Sequence, residues 1–211
     1  MNYEQWREDL FGQPPDSDPV MVELRDETYA LSKELQLDYI DRALLDPDIH
    51  ALFNKNQIGI GLQIIYSNSC SDIPFCYIND VEENRRITAF NNLRYLYTNY
   101  FEKYCISPVD RVGYNLEDGA IGYLCYMFWD IFPLYHGNAT QKIVDAAVAV
   151  MQNAINSKND NCIVSGLHGL GHWASKTPSA VAAIETWLKM PSTNNPAVLE
   201  YARQAKTGCV Q

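Results

Sequence analysis

Apolar residues recur at helical spacing along most of the chain. Leu93, Leu96, Tyr97, Tyr100, Phe101 and Tyr104 fall at i, i+3, i+4, i+7, i+8 and i+11, which is one face of an α-helix. With Asp80-Val-Glu-Glu83 read as a capping box, the pattern predicts a helix from Val81 to Lys103. Ile121, Leu124, Cys125, Phe128 and Phe132 form a second stripe that stops at Pro133. Asn138-Ala-Thr-Gln141 caps a third, with Ile143, Ala147, Val150, Met151 and Ala154 on its face. Asp160 or Asn161 opens a fourth, Thr177-Pro178 a fifth and Asn195-Pro196 a sixth, with Gly208 as the stop.

Upstream, a short helix is expected near Tyr3 to Leu10, and Asp46-Pro47 starts another that carries Ile49, Leu52 and Phe53. Gln57 to Tyr66 fits two patterns. Ile58, Ile60, Leu62 and Ile64 alternate as in a strand, while Ile58, Leu62, Ile65 and Tyr66 share a helical face. No other segment supplies a pairing strand, which favours helix.

Helix starts after residue 80 fall near 80, 116, 138, 160, 177 and 195, so successive pairs repeat at about 35 to 40 residues, the period of helix-pair solenoids. The expected architecture is all-α, a short HEAT/armadillo-like α-solenoid of antiparallel helix pairs. It forms a single domain over 1–211, with 1–79 an N-terminal helical cap and 80–211 the repeats.

Composition narrows the functional classes. Apolar residues make up 47% of 211 positions, enough for a core. The formal net charge of −10 disfavours nucleic acid and leaves room for a basic partner. The N-terminal segment has charges where a signal peptide would be apolar, and no apolar run reaches membrane-spanning length. A cytoplasmic protein with six reduced cysteines is expected, and no C-x-x-C pair occurs. Cys105, Cys125 and Cys162 read as small core residues. The aromatic stripes, Tyr95, Tyr97, Tyr100 and Tyr104, then Tyr123, Tyr126 and Trp129, read as core in preference to a ligand-binding lining.

The segment Asn161-Cys-Ile-Val-Ser-Gly-Leu-His-Gly-Leu-Gly-His-Trp173 is the best-marked stretch. His168 and His172 stand one helical turn apart, the spacing that offers two imidazoles to one metal. In zinc peptidases a Glu follows the first His; here that place is Gly169. His50 and His136 lie outside any ligand-like motif. A carboxylate such as Asp130 could complete the set, but nothing local nominates it. Cys162 and His168 are six residues apart and face different sides of a helix, so they form no dyad. Gly166, Gly169 and Gly171 ask for close helix contact, because each glycine costs a helix about 1 kcal/mol relative to Ala. The segment is expected to be an inter-helix seam of Gly166, His168, Gly169, Gly171, His172 and Trp173, with the rings hydrogen-bonded across it. No catalytic residue and no cofactor is expected, and His168 and His172 stand only as metal candidates.

The run Cys162–Trp173, the Pro-capped helix after it and Tyr201-Ala-Arg-Gln-Ala205-Lys-Thr-Gly208 resemble HEAT-like helical-repeat proteins. In particular they are similar to bacterial proteins of unassigned function that carry an L-H-G-L-G-H-W segment. The resemblance covers about the last 50 residues, and the middle only by rhythm. It implies an α-solenoid that binds another protein, without catalysis. One specific form is an acidic immunity-type protein that neutralises a basic toxin; the alternative is a metal-dependent enzyme using His168 and His172.

Overall fold

Side-chain caps set most of the helix starts. In the computed structural model, which describes residues 1–113, 116–135 and 137–210, Asn2 and Asn54 each close a capping box, opening α1 (Tyr3–Phe11) and α5 (Lys55–Tyr66). Ser32 caps α3 (Lys33–Ala43), which follows the one-turn α2 (Asp26–Tyr29). Asp46 accepts from Asp48 N–H ahead of Pro47 at the start of α4 (Pro47–Leu52). The ambiguous segment 57–66 is helical. Its Gly59 and Gly61 are buried where Ile121 and Phe11 come too close for a Cβ.

The long helix expected from Val81 to Lys103 is broken instead. Asp80 adopts φ 61°, a left-handed conformation, so it cannot serve as the cap, and Glu82 caps α6 (Glu83–Asn92) by accepting from Arg85 N–H. Tight bonds, Leu93 N–H to Phe90 O and Leu96 N–H to Leu93 O, then close the chain around α7 (Arg94–Leu96). A π-helical turn follows at Tyr97–Phe101, leading into α8 (Glu102–Tyr104). The apolar stripe continues through these changes because Leu93, Leu96, Tyr97, Tyr100 and Phe101 are all buried.

The C-terminal half comprises α9 (Gly119–Ile131), α10 (Gln141–Ile155), α11 (Asp160–Trp173), α12 (Pro178–Lys189) and α13 (Pro196–Ala205). Helix α11 opens at Asp160 as expected, and Asn159 caps it by accepting from the N–H groups of Asn161 and Cys162. One start differs from expectation. Asn138 closes the turn ahead of α10 rather than capping it, accepting from Tyr135 N–H and donating to Pro133 O, and Thr140 takes the N-cap position. Gly208, at φ 79°, ends α13 in a Schellman arrangement, with Cys209 N–H bonded to Gln204 O and Gly208 N–H to Ala205 O.

Among the described residues there is no strand, and the fold is all-α. One apolar cluster runs from Tyr3 to Ala205. Helix α5 packs between α1 and α9, and α6 against α10. Helix α11 is the hub of the C-terminal half, touching α9, α10, α12 and α13. Cys105, Cys125 and Cys162 are core residues. Burial, and then the neighbouring Cys105 and Cys162, push the Cys125 thiol well above its usual range, so it stays protonated. No helix among the described residues is long and apolar enough to cross a membrane.

Candidate metal centre

A helix surrounded on all sides must present little bulk to its neighbours, and α11 does so with glycine. A Cβ on Gly166 would lie 2.8 Å from the Met151 carbonyl oxygen and 2.9 Å from Ala154 Cβ of α10. A Cβ on Gly169 would lie 2.5 Å from Trp129 Cδ1 of α9, and one on Gly171 would strike Val210 and reach within 3.3 Å of Ala205 Cα. Three neighbours therefore approach one helix through three gaps. Trp173 is buried, at the end of the same helix.

The close approach of α9 has a chemical consequence. Asp130, on the last turn of α9, comes to face His168 and His172 of α11. Its Oδ2 lies 2.6 Å from His168 Nε2 and its Oδ1 2.8 Å from His172 Nε2. The two Nε2 atoms are themselves 2.9 Å apart. On the far side of the first ring, His168 Nδ1 bonds the Tyr201 hydroxyl of α13 at 2.5 Å. His168 is 1% exposed, whereas His172 and Asp130 are open to solvent on one side. The three side chains form the one group of metal-ligand type found among the described residues.

Burial works to raise the Asp130 pKa, but hydrogen bonds from His168 and His172 and their charge outweigh it and hold the carboxyl well below the ordinary range. Two imidazole N–H groups can each donate to one carboxylate oxygen, which satisfies the seam by hydrogen bonding. That arrangement aims two protonated nitrogens past each other across 2.9 Å. The His168 Nδ1–Tyr201 bond can run in either direction; where Tyr201 accepts from Nδ1–H in a neutral ring, Nε2 carries the lone pair, which is the tautomer that binds a metal in place of the bond to Asp130. Ligands about 2.1 Å from one ion sit about 3.0–3.4 Å apart, so the two imidazole nitrogens, 2.9 Å apart, would part slightly to accept one, with either Asp130 oxygen as the third ligand.

An outer layer holds the site in place. Trp129, beside Asp130, donates its Nε1–H to Tyr97 Oη at 3.0 Å, and the Tyr97 hydroxyl also meets Ser165 Oγ at 3.0 Å. Ser165 lies one turn before His168, so the π-helical turn carrying Tyr97 braces both sides of the centre. The Tyr126 ring lies 4.9 Å from that of His168.

Sequence reading named Asp130 as a carboxylate that could complete the set, but nothing local singled it out, because it is 38 residues from His168. The available signal was its position, a lone acid on an otherwise apolar helix. It missed Tyr201 and Tyr97 for the same reason. His50 lies elsewhere, its Nδ1 3.0 Å from Tyr104 Oη, and burial and then Lys103 lower its pKa. His136 lies outside the described residues. A cleft of about 470 Å³ opens beside Asp130 and His172. A larger one, about 800 Å³, lies between Glu102–Val109 and Asn156–Asn161, away from the imidazoles. In comparisons with known proteins, no family model, curated protein or solved structure matches the chain.

Proposed function

We propose that this protein binds one divalent transition-metal ion through Asp130, His168 and His172. The observation that carries this reading is the convergence of one carboxylate and two imidazole nitrogens within 2.9 Å of one another on two helices. Two imidazoles and one carboxylate suit zinc, iron(II) or cobalt(II), and three protein ligands leave at least one position open. Tyr201 serves as the outer partner of His168. Gly169 stands where the zinc-peptidase base would be, so the reading assigns binding and no peptidase chemistry.

Metal content of purified protein and titration of metal-free protein with zinc test this. One ion per chain is expected, lost in Asp130→Asn and His172→Ala. Metal-free protein that takes up neither zinc nor cobalt overturns the reading and leaves the hydrogen-bonded seam as the role of these residues.

A protein-binding scaffold is the second reading. The pairing of α10 with α11, and of α11 with α12 and α13, supports a short HEAT-like array at the C-terminal end. Exposed Met190, Met21 and Ile106, on an acidic chain, are its candidate contacts. A basic protein partner, such as a toxin neutralised by an immunity-type protein, remains part of that reading. Recovery of a stoichiometric partner that is lost on substituting these residues tests it.

A further inference from the structure

We infer that the cleft beside the metal takes a small organic monoanion, one carboxylate on an apolar body, as the ligand that completes the coordination. This rests on the metal reading above, and charge and shape carry it further. Two neutral imidazoles and one carboxylate around a divalent ion leave a net charge of +1 in a partly closed site. The cleft adds a second positive charge. The exposed Lys176 lines it, and no ion pair is found for Lys176 among the described residues, although the chain as a whole carries −10. Among the described residues the only acid in the lining is Asp130, which the metal would occupy. A site with one metal and one free ammonium in an acidic protein selects a negative ligand and excludes cations.

The walls define the rest of the ligand. Trp129, Phe132, Leu134 and Trp173 line the same cleft and are all buried to 5–6% exposure or less, so their apolar faces are fixed rather than flexible. Trp129 cannot swing, because its Nε1–H is held by Tyr97. The space, about 470 Å³, suits a molecule the size of a substituted benzoate. The carboxylate would reach the open coordination position with Lys176 as its second partner, and the apolar body would lie on the aromatic wall.

Cobalt(II) makes both levels of the inference visible in one experiment. Metal-free protein is loaded with cobalt and its visible absorption bands are followed while benzoate is added. The expected result is a saturable band shift with benzoate, at lower concentrations than with acetate, and none with benzyl alcohol, which has the ring but no charge. In Lys176→Met the cobalt spectrum before addition is unchanged and benzoate binds about tenfold more weakly. A cobalt spectrum that forms but ignores benzoate, or a Lys176→Met protein with unchanged benzoate affinity, overturns the anion inference and leaves the metal site standing. Failure of cobalt to bind overturns both.

Discussion

Replacing Gly169 with alanine sets two physical effects against each other, and they differ in sign. In a free helix the change stabilises by about 1 kcal/mol, because alanine has the higher propensity. In this protein the added Cβ would sit 2.5 Å from Cδ1, 2.6 Å from Cγ and 2.9 Å from Nε1 of Trp129. Those atoms lie at the root of a large ring that is 5% exposed and tied to Tyr97 by a 3.0 Å hydrogen bond. The ring cannot yield without loosening that bond, which is worth about 1 kcal/mol. Overpacking itself costs about 1–3 kcal/mol. The sum is a net loss of about 1–3 kcal/mol, or a melting temperature lower by about 2–12 °C for a chain of this size. Thermal and urea unfolding of Gly169→Ala measure it directly. Asp130 follows Trp129 in α9, so zinc affinity should fall as well. A variant that melts higher than the parent, with unchanged zinc affinity, would refute the account of α11 as a helix packed through glycine gaps.

Other outcomes follow from the same contacts. Gly166→Ala should destabilise at least as much, since one of its neighbours is the Met151 backbone carbonyl, which cannot rotate away; urea unfolding measures this. Tyr201→Phe removes the hydroxyl on His168 Nδ1 and should weaken zinc binding about tenfold or more by competition titration, with the fold intact by circular dichroism. Saturating zinc-loaded protein at about 100 times Kd should raise stability by about 2.7 kcal/mol, an increment that a chelator removes. The Asp130 pKa is lower in the folded state than in the unfolded chain. Its contribution is therefore complete above the usual carboxylate value of 3.8 and is lost as pH falls through the folded-state value. In metal-free protein, the stability gap between parent and Asp130→Asn should accordingly shrink below about pH 4, by acid titration of urea unfolding. Lys55→Met leaves the 2%-exposed Asp118 with Ser107 N–H but without the cation 3.0 Å away, and should cost about 3 kcal/mol in the same unfolding assay.

What could be read from the chain was what depends on near neighbours in sequence. The stripe from Leu93 to Phe101 correctly marked buried residues, with Tyr104 at its end only half-buried, and Asn195-Pro196 and Gly208 correctly marked the ends of α13. The break at Leu93 and the π turn were hidden, because spacing of apolar residues does not distinguish a regular helix from one that tightens and then widens by a residue. The caps at Asp80 and Asn138 failed for a local reason. Each side chain fits the pattern, but Asp80 takes a left-handed backbone and Asn138 closes the preceding turn. In the site, the two histidines were legible because they share one helix. Asp130 and Tyr201 come from two other helices, and only packing through Gly169 and Gly171 reveals which residues meet them.

The π-helical turn at Tyr97–Phe101 has a consequence for how this chain tolerates length change. Such a turn is a regular helix with one residue inserted. Thr98 is exposed, while Tyr97 and Tyr100 on either side are buried and anchored to Trp129 and to the Ala43 carbonyl. Shortening the turn by one residue would mend the helix and shift every later side chain around its axis. Either Tyr97 or Tyr100 would then lose its anchor. The inserted residue thus acts as a spacer that keeps two halves of a single helix in phase with two different sets of neighbours, so deletion there should be far less tolerated than substitution of Thr98.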